Sequence, residues 1–78
     1  MEEQKIKQDS IHIGQNIRNI RIACGVGQTE LVRRLQLDGI EITRETLVKI
    51  ERGIQHIQAT QLRAIKEKLG TTYEEIFK

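Results

Sequence analysis

Several side chains in the stretch ITRETLVKIERG, residues 42–53, can make directed hydrogen bonds to a partner. Arg44 offers a planar fork of donors, Glu45 two acceptor oxygens, and Lys49 a mobile ammonium. Thr43 brings a hydroxyl beside a methyl group, and Arg52 a second guanidinium just before Gly53. Donors and acceptors of both signs suit recognition of a polar surface, but an ordinary solvated helix face carries the same groups. The chain assembles no competing chemistry. It has no acid–base pair and no phosphate-cradling glycine loop, and His12 and His56 have no Cys or His at ligand spacing. Catalysis, a cofactor and a metal site are therefore not expected. The one cysteine, Cys24, excludes an internal disulfide. It falls on an apolar stripe and reads as a small buried hydrophobe.

The elements that would position these groups are helices. The chain has no proline, and its apolar residues recur at helical spacing. Ile13, Ile17, Ile20 and Cys24 fall at steps of four, three and four, which predicts an amphipathic helix over residues 11–24 closed by Gly25 and Gly27. Leu31, Val32 and Leu35 mark a second helix from Gln28 to Leu37, with Glu30 in the first turn, where the helix dipole favours an acid. Asp38 and Gly39 end it. Thr43 can cap a third helix over residues 43–52, with Leu47 and Ile50 inward and Gly53 as its stop. Leu62, Ile65 and Leu69 mark a fourth, stopped by Gly70. Thr72 and Glu75 read as a reciprocal capping box that starts a last short turn, placing Tyr73, Ile76 and Phe77 against the bundle. The alternation at Ile40, Glu41 and Ile42 is too short to build a sheet. An all-α domain of five short helices over residues 11–78 is expected, preceded by a flexible segment at residues 1–10.

Size and charge bound the function. Seventy-eight residues support one small core and no deep substrate cavity. The formal net charge is +2, and the excess sits in the middle, where residues 13–57 hold seven basic and five acidic groups. No apolar run approaches the roughly 20 residues that span a bilayer. The opening MEEQKIKQDS lacks the apolar core of a signal peptide. A soluble, cytoplasmic, nucleoid-associated protein is expected, with no membrane partner.

Three segments together, IGQNIRNIRIACGVGQTEL, TRETLVKIERG and QLRAIKEKLGTTYEEIF, resemble the Cro/lambda-repressor-like helix-turn-helix family, the XRE family, over residues 13–77. The signature comprises Ile17, Arg21, Gly25, Gln28 and Leu31, then Ile50 to Gly53, then Leu69, Gly70 and the closing aromatic segment. The resemblance implies a five-helix lambda-repressor-like domain of bacterial or phage origin that binds operator DNA. Helices two and three form the helix-turn-helix, and helix three enters the major groove. It implies base contacts from Thr43, Arg44, Glu45 and Lys49: Arg44 matches guanine, and Glu45 the cytosine amino group. It implies phosphate contacts from Gln28 and Thr29 at the start of helix two and from Arg52 across the groove. Arg21 and Glu51 match a partly buried ion pair with a structural role.

Two departures from the family pattern stand out. Leu31 to Glu51 spans twenty steps, about five more than the family spacing, and the surplus lies in LQLDGIEI. An extended second helix and a longer turn at Asp38 and Gly39 account for it, with Ile40 and Ile42 packed down as a plug. After Gly53 the chain has Ile54, Gln55, His56 and Ile57 where relatives place basic residues. Fewer neutralised phosphates imply weaker and less salt-sensitive binding. The function expected from these readings is that of a sequence-specific transcriptional regulator, a repressor. It would be a homodimer on palindromic double-stranded DNA, with Tyr73, Ile76, Phe77 and the fourth helix forming the dimer face. The rival reading is a protein-interaction module on the same scaffold, of antitoxin or anti-repressor type, with an exposed Ile54 or Ile57 meeting a protein partner.

Overall fold

The apolar stripes converge on one core, and each helix ends where its chemistry stops it. The structure, a computed structural model, describes residues 12–78 and the backbone of two residues before them, Lys5–Ile6. Among the described residues the elements are β1 (Lys5–Ile6), α1 (Ile13–Ala23), α2 (Gln28–Leu37), α3 (Arg44–Glu51), β2 (Ile57–Gln58), α4 (Ala59–Leu69) and α5 (Tyr73–Ile76). The domain is therefore mostly helical, with five helices. None of them is long and apolar enough to cross a membrane.

The core is aliphatic. Ile13 and Ile17 of α1, Leu31 and Leu35 of α2, Leu47 and Ile50 of α3, Ile65 of α4 and Ile76 of α5 are all but inaccessible to solvent. α3 packs against both α1 and α2, while α4 closes over α2 and α5 over α1. α3 thus rests on two helices along one side and keeps the opposite side free. Its ends are defined chemically. The Thr43 hydroxyl accepts a hydrogen bond from the Thr46 amide at 3.1 Å, and Gly53 turns the chain out of the helix at φ +77°. The amides of Gly53 and Ile54 bond back to the carbonyls of Ile50 and Lys49, both at 3.0 Å. A side chain with a Cβ rarely adopts that φ, which is why glycine stands there.

The lengthened connection between α2 and α3 is a packed element. Gly39, at φ +81°, ends α2 in the same way. Ile42 is then 5% exposed within the core, and Ile40 packs against it. Two glutamines hold the loop backbone: Gln36 Nε2 donates to the Ile42 carbonyl at 2.8 Å, and Gln61 Nε2 to the Glu41 carbonyl at 3.0 Å. The plug read from Ile40 and Ile42 is present, with two amide anchors that periodicity does not reveal.

Several expectations are corrected. β1 pairs antiparallel with β2, Lys5 opposite Gln58 and Ile6 opposite Ile57, so a two-residue ladder exists and the backbone at 5–6 is not a free end. The rest of residues 1–10 lies outside the described residues. α1 ends at Ala23, which puts Cys24 at the helix cap and exposed, its thiol 3.6 Å from the Leu69 carbonyl. The reciprocal capping box at α5 closes by half: Thr72 accepts from the Glu75 amide at 3.2 Å, but the Glu75 carboxylate turns to Lys78. The reaching-back contact occurs instead at α4, where Gln61 Oε1 accepts from the Gln58 amide at 3.0 Å.

Removing a buried aliphatic side chain costs about 2–5 kcal/mol when the site cannot collapse. A domain of this size has only about 5–10 kcal/mol in total. Urea unfolding of Ile42→Ala is expected to show a loss in that range, and deletion of residues 38–42 to leave the chain unfolded. A shortened chain with wild-type cooperativity would make the connection a dispensable loop.

Candidate nucleic-acid interface

The position of α3 is fixed by a carboxylate at its last residue. Glu51 is 3% exposed and Arg21, on α1, 7%. Arg21 Nε donates to Glu51 Oε2 at 2.7 Å and Nη2 to Oε1 at 2.9 Å, a two-pronged pair, while Nη1 reaches the Val26 carbonyl at 2.9 Å. Gln28 Nε2 adds a bond to Glu51 Oε1 at 3.0 Å. One carboxylate therefore ties together α1, the turn after it, the first residue of α2 and the end of α3. The bond to Glu51 raises the Arg21 pKa above its ordinary value, so the guanidinium is charged at any working pH. No buried side-chain polar atom among the described residues lacks a partner.

The free side of α3 carries Arg44, Glu45 and Lys49, with Arg52 at the cap, all exposed. None of the four has an ion pair among the described residues. Elsewhere helical neighbours of opposite sign do pair. On α2 Glu30 binds Arg33 at 2.6 Å and Arg34 at 3.3 Å, on α4 Glu67 binds Arg63 at 3.5 Å, and Glu75 binds Lys78 at 3.1 Å. Asp38 takes Lys68. Hydrogen bonding from Arg33 lowers the Glu30 pKa below its ordinary value. Glu45 and Lys49 have the favourable i,i+4 order and yet stand open.

The helix dipole sorts these charges. Glu45 in the first turn and Lys49 and Arg52 at the other end each complement it, so helix stability alone accounts for them. Arg44 is different. It occupies the first helical position, where a cation opposes the dipole at a cost of about 0.3–1 kcal/mol, and no acid among the described residues pairs with it.

The structure brings most of the sequence-marked residues to one side and separates others. Thr43, Arg44, Glu45 and Lys49 share α3 and its cap, where the Thr43 hydroxyl also donates to the Thr46 hydroxyl at 3.0 Å. Gln28 and Thr29 open α2, whose N-cap is Gly27 with no capping side chain. Gln28 is half-buried and belongs to the Glu51 cluster as well, leaving its second amide hydrogen for any further contact. Arg18 is a cation that the sequence pattern did not single out. It is exposed one turn before Arg21 on α1 and unpaired among the described residues. Two interface assignments fail. Ile76 is 0% exposed in the core, so it cannot belong to a dimer face, and Ile57 is 0% exposed in β2, which leaves Ile54, at 63%, as the apolar residue offered by that loop. Tyr73 is 40% exposed, stacks on Phe77 with ring centroids 6.1 Å apart, and receives the Lys66 ammonium over its face at 5.0 Å.

No protein-family model matches this chain, and no curated protein or solved structure matches it either.

Removing one member of a buried ion pair costs about 3–5 kcal/mol, mostly from stranding the other charge. Arg21→Ala and Glu51→Ala are each expected to lower the melting temperature by at least about 10 °C, since about 1 kcal/mol moves a domain of this size by 4–8 °C. Arg21→Met combined with Glu51→Leu should lose less than either single change. Calorimetry decides: single variants that melt like the parent would remove the cluster's structural role.

Proposed function

We propose that this chain is a lambda-repressor-like helix-turn-helix protein that binds specific double-stranded DNA through α3 and acts as a transcriptional repressor. The observation that carries the reading is Arg44. It is exposed, unpaired among the described residues and set against the helix dipole. Such a guanidinium fits the O6 and N7 acceptors of guanine in the major groove. Glu45 beside it can accept from a cytosine amino group, and Lys49 lies one turn further along the same helix. The Thr43 hydroxyl is committed to the cap, so the methyl is what Thr43 offers a base.

Backbone contacts flank this reading surface. The uncapped amides that open α2, with Thr29 and the free amide hydrogen of Gln28, make an anion site on one side of α3. Arg52 stands at the other end of α3. These groups would set register without reading sequence. One eight-residue helix covers few base pairs, so two copies on a palindromic site fit the task. With Ile76 in the core, Tyr73, Phe77 and α4 remain for the contact between copies. The rival reading, a protein-binding module, rests on Ile54, an exposed apolar side chain just past α3 where added basic residues would serve DNA.

Selection from a random duplex pool is expected to enrich a palindrome with a guanine in each half-site. Arg44→Ala should lose about 1–3 kcal/mol on that site and little on random DNA. Arg52→Ala should weaken all sequences alike and reduce the salt slope by about 0.9. Failure to enrich any sequence would favour the protein-binding reading.

A further inference from the structure

Val48 is an apolar residue of α3 that stands outside the core cluster. It is half-buried, yet the partly buried residues that pack on the core are Ile20, Val26, Ile40 and Phe77, and Val48 is not among them. Helix propensity does not explain it, because β-branched residues are poorer helix formers than alanine or straight-chain residues. Arg44 and Arg52 lie four positions to either side and Glu45 three before, all of them exposed. Residues at those spacings are surface neighbours on a helix. Side chains on a helix lean toward its N-terminus, so the valine methyls lie over the turn that carries Arg44 and Glu45. The result is a small apolar spot framed by two guanidiniums and a carboxylate.

Of the four bases, only thymine presents a methyl group in the major groove. Resting on the DNA-binding reading above, we propose that Val48 is a specificity-determining residue that contacts the 5-methyl of one thymine in each half-site. Its place follows from spacing. One helical turn advances about 5.4 Å and one base pair about 3.4 Å, so the thymine lies within about two base pairs of the guanine read by Arg44. Arg44 and Val48 then read neighbouring positions by different means, one through hydrogen bonds and the other through an apolar contact that a cytosine cannot supply.

The test uses the site recovered by selection, with each thymine replaced in turn by deoxyuridine, which lacks only the methyl. The wild-type protein is expected to lose about fourfold in affinity at the position that Val48 reads in each half-site, the value of one buried methyl group. Val48→Ala should bind the thymine and uridine duplexes equally there while remaining sensitive to replacement of the guanine. Val48→Thr, nearly the same shape with one methyl kept, should retain part of the discrimination and stands in if the alanine variant melts early. A wild-type protein indifferent to every uridine, or a Val48→Ala protein that discriminates as the parent does, would overturn the assignment while leaving DNA recognition intact. A pool that yields no enriched site overturns both.

Discussion

Everything offered to a partner by α3 depends on one buried carboxylate. Glu51 is the last residue of that helix, and Arg21 and Gln28 both donate to it, which fixes the helix end relative to α1 and α2 at bond lengths of 2.7–3.0 Å. A charge this deep is costly unless every lone pair is used and the geometry is good. Apolar residues of similar volume would hold the same volume without directional preference. The ion cluster therefore fixes orientation: its directed bonds hold the end of α3 at one rotation relative to α1 and α2.

The lengthened connection serves the same end from the other side. Between α2 and α3 the chain spends several residues on Gly39, Ile40, Glu41 and Ile42, and Gln36 and Gln61 hold their carbonyls. Ile42 enters the core immediately before the Thr43 cap, so the start of α3 is anchored by apolar burial and its end by the Glu51 cluster. With both ends held, α3 can carry residues outside the core. Arg44 stands at the end of the helix where a cation opposes the dipole, and Val48 lies outside the core cluster.

How far this was legible in the sequence follows from which forces are local. Caps and stops at Thr43, Gly53, Gly39 and Gly70 act within a turn, and the apolar stripes of α2, α3 and α4 have an unambiguous period, so these helices are placed within a residue or two. The misses are long-range. Cys24 continues the α1 stripe by counting, but the helix stops one residue earlier, and the stripe no longer applies. Ile57 is buried beside a ladder whose other strand lies some fifty positions away, which no local pattern foretells. Gln36 and Gln61 look like surface residues until their carbonyl partners are known. At the candidate site the exposed residues of α3 could be named in advance, but not their lack of ion partners among the described residues.

The central claim is that the outward side of α3, with the opening of α2, is the surface that meets DNA. An NMR titration of the backbone amides with a short duplex at low salt tests it directly, because a DNA-binding protein engages even non-specific duplex through phosphate contacts. The account predicts that perturbed amides concentrate at residues 27–29 and 43–53 and that the shifts fade as salt rises. Perturbations confined to α4 and α5, or to the loop around Ile54 with α3 silent, would contradict it.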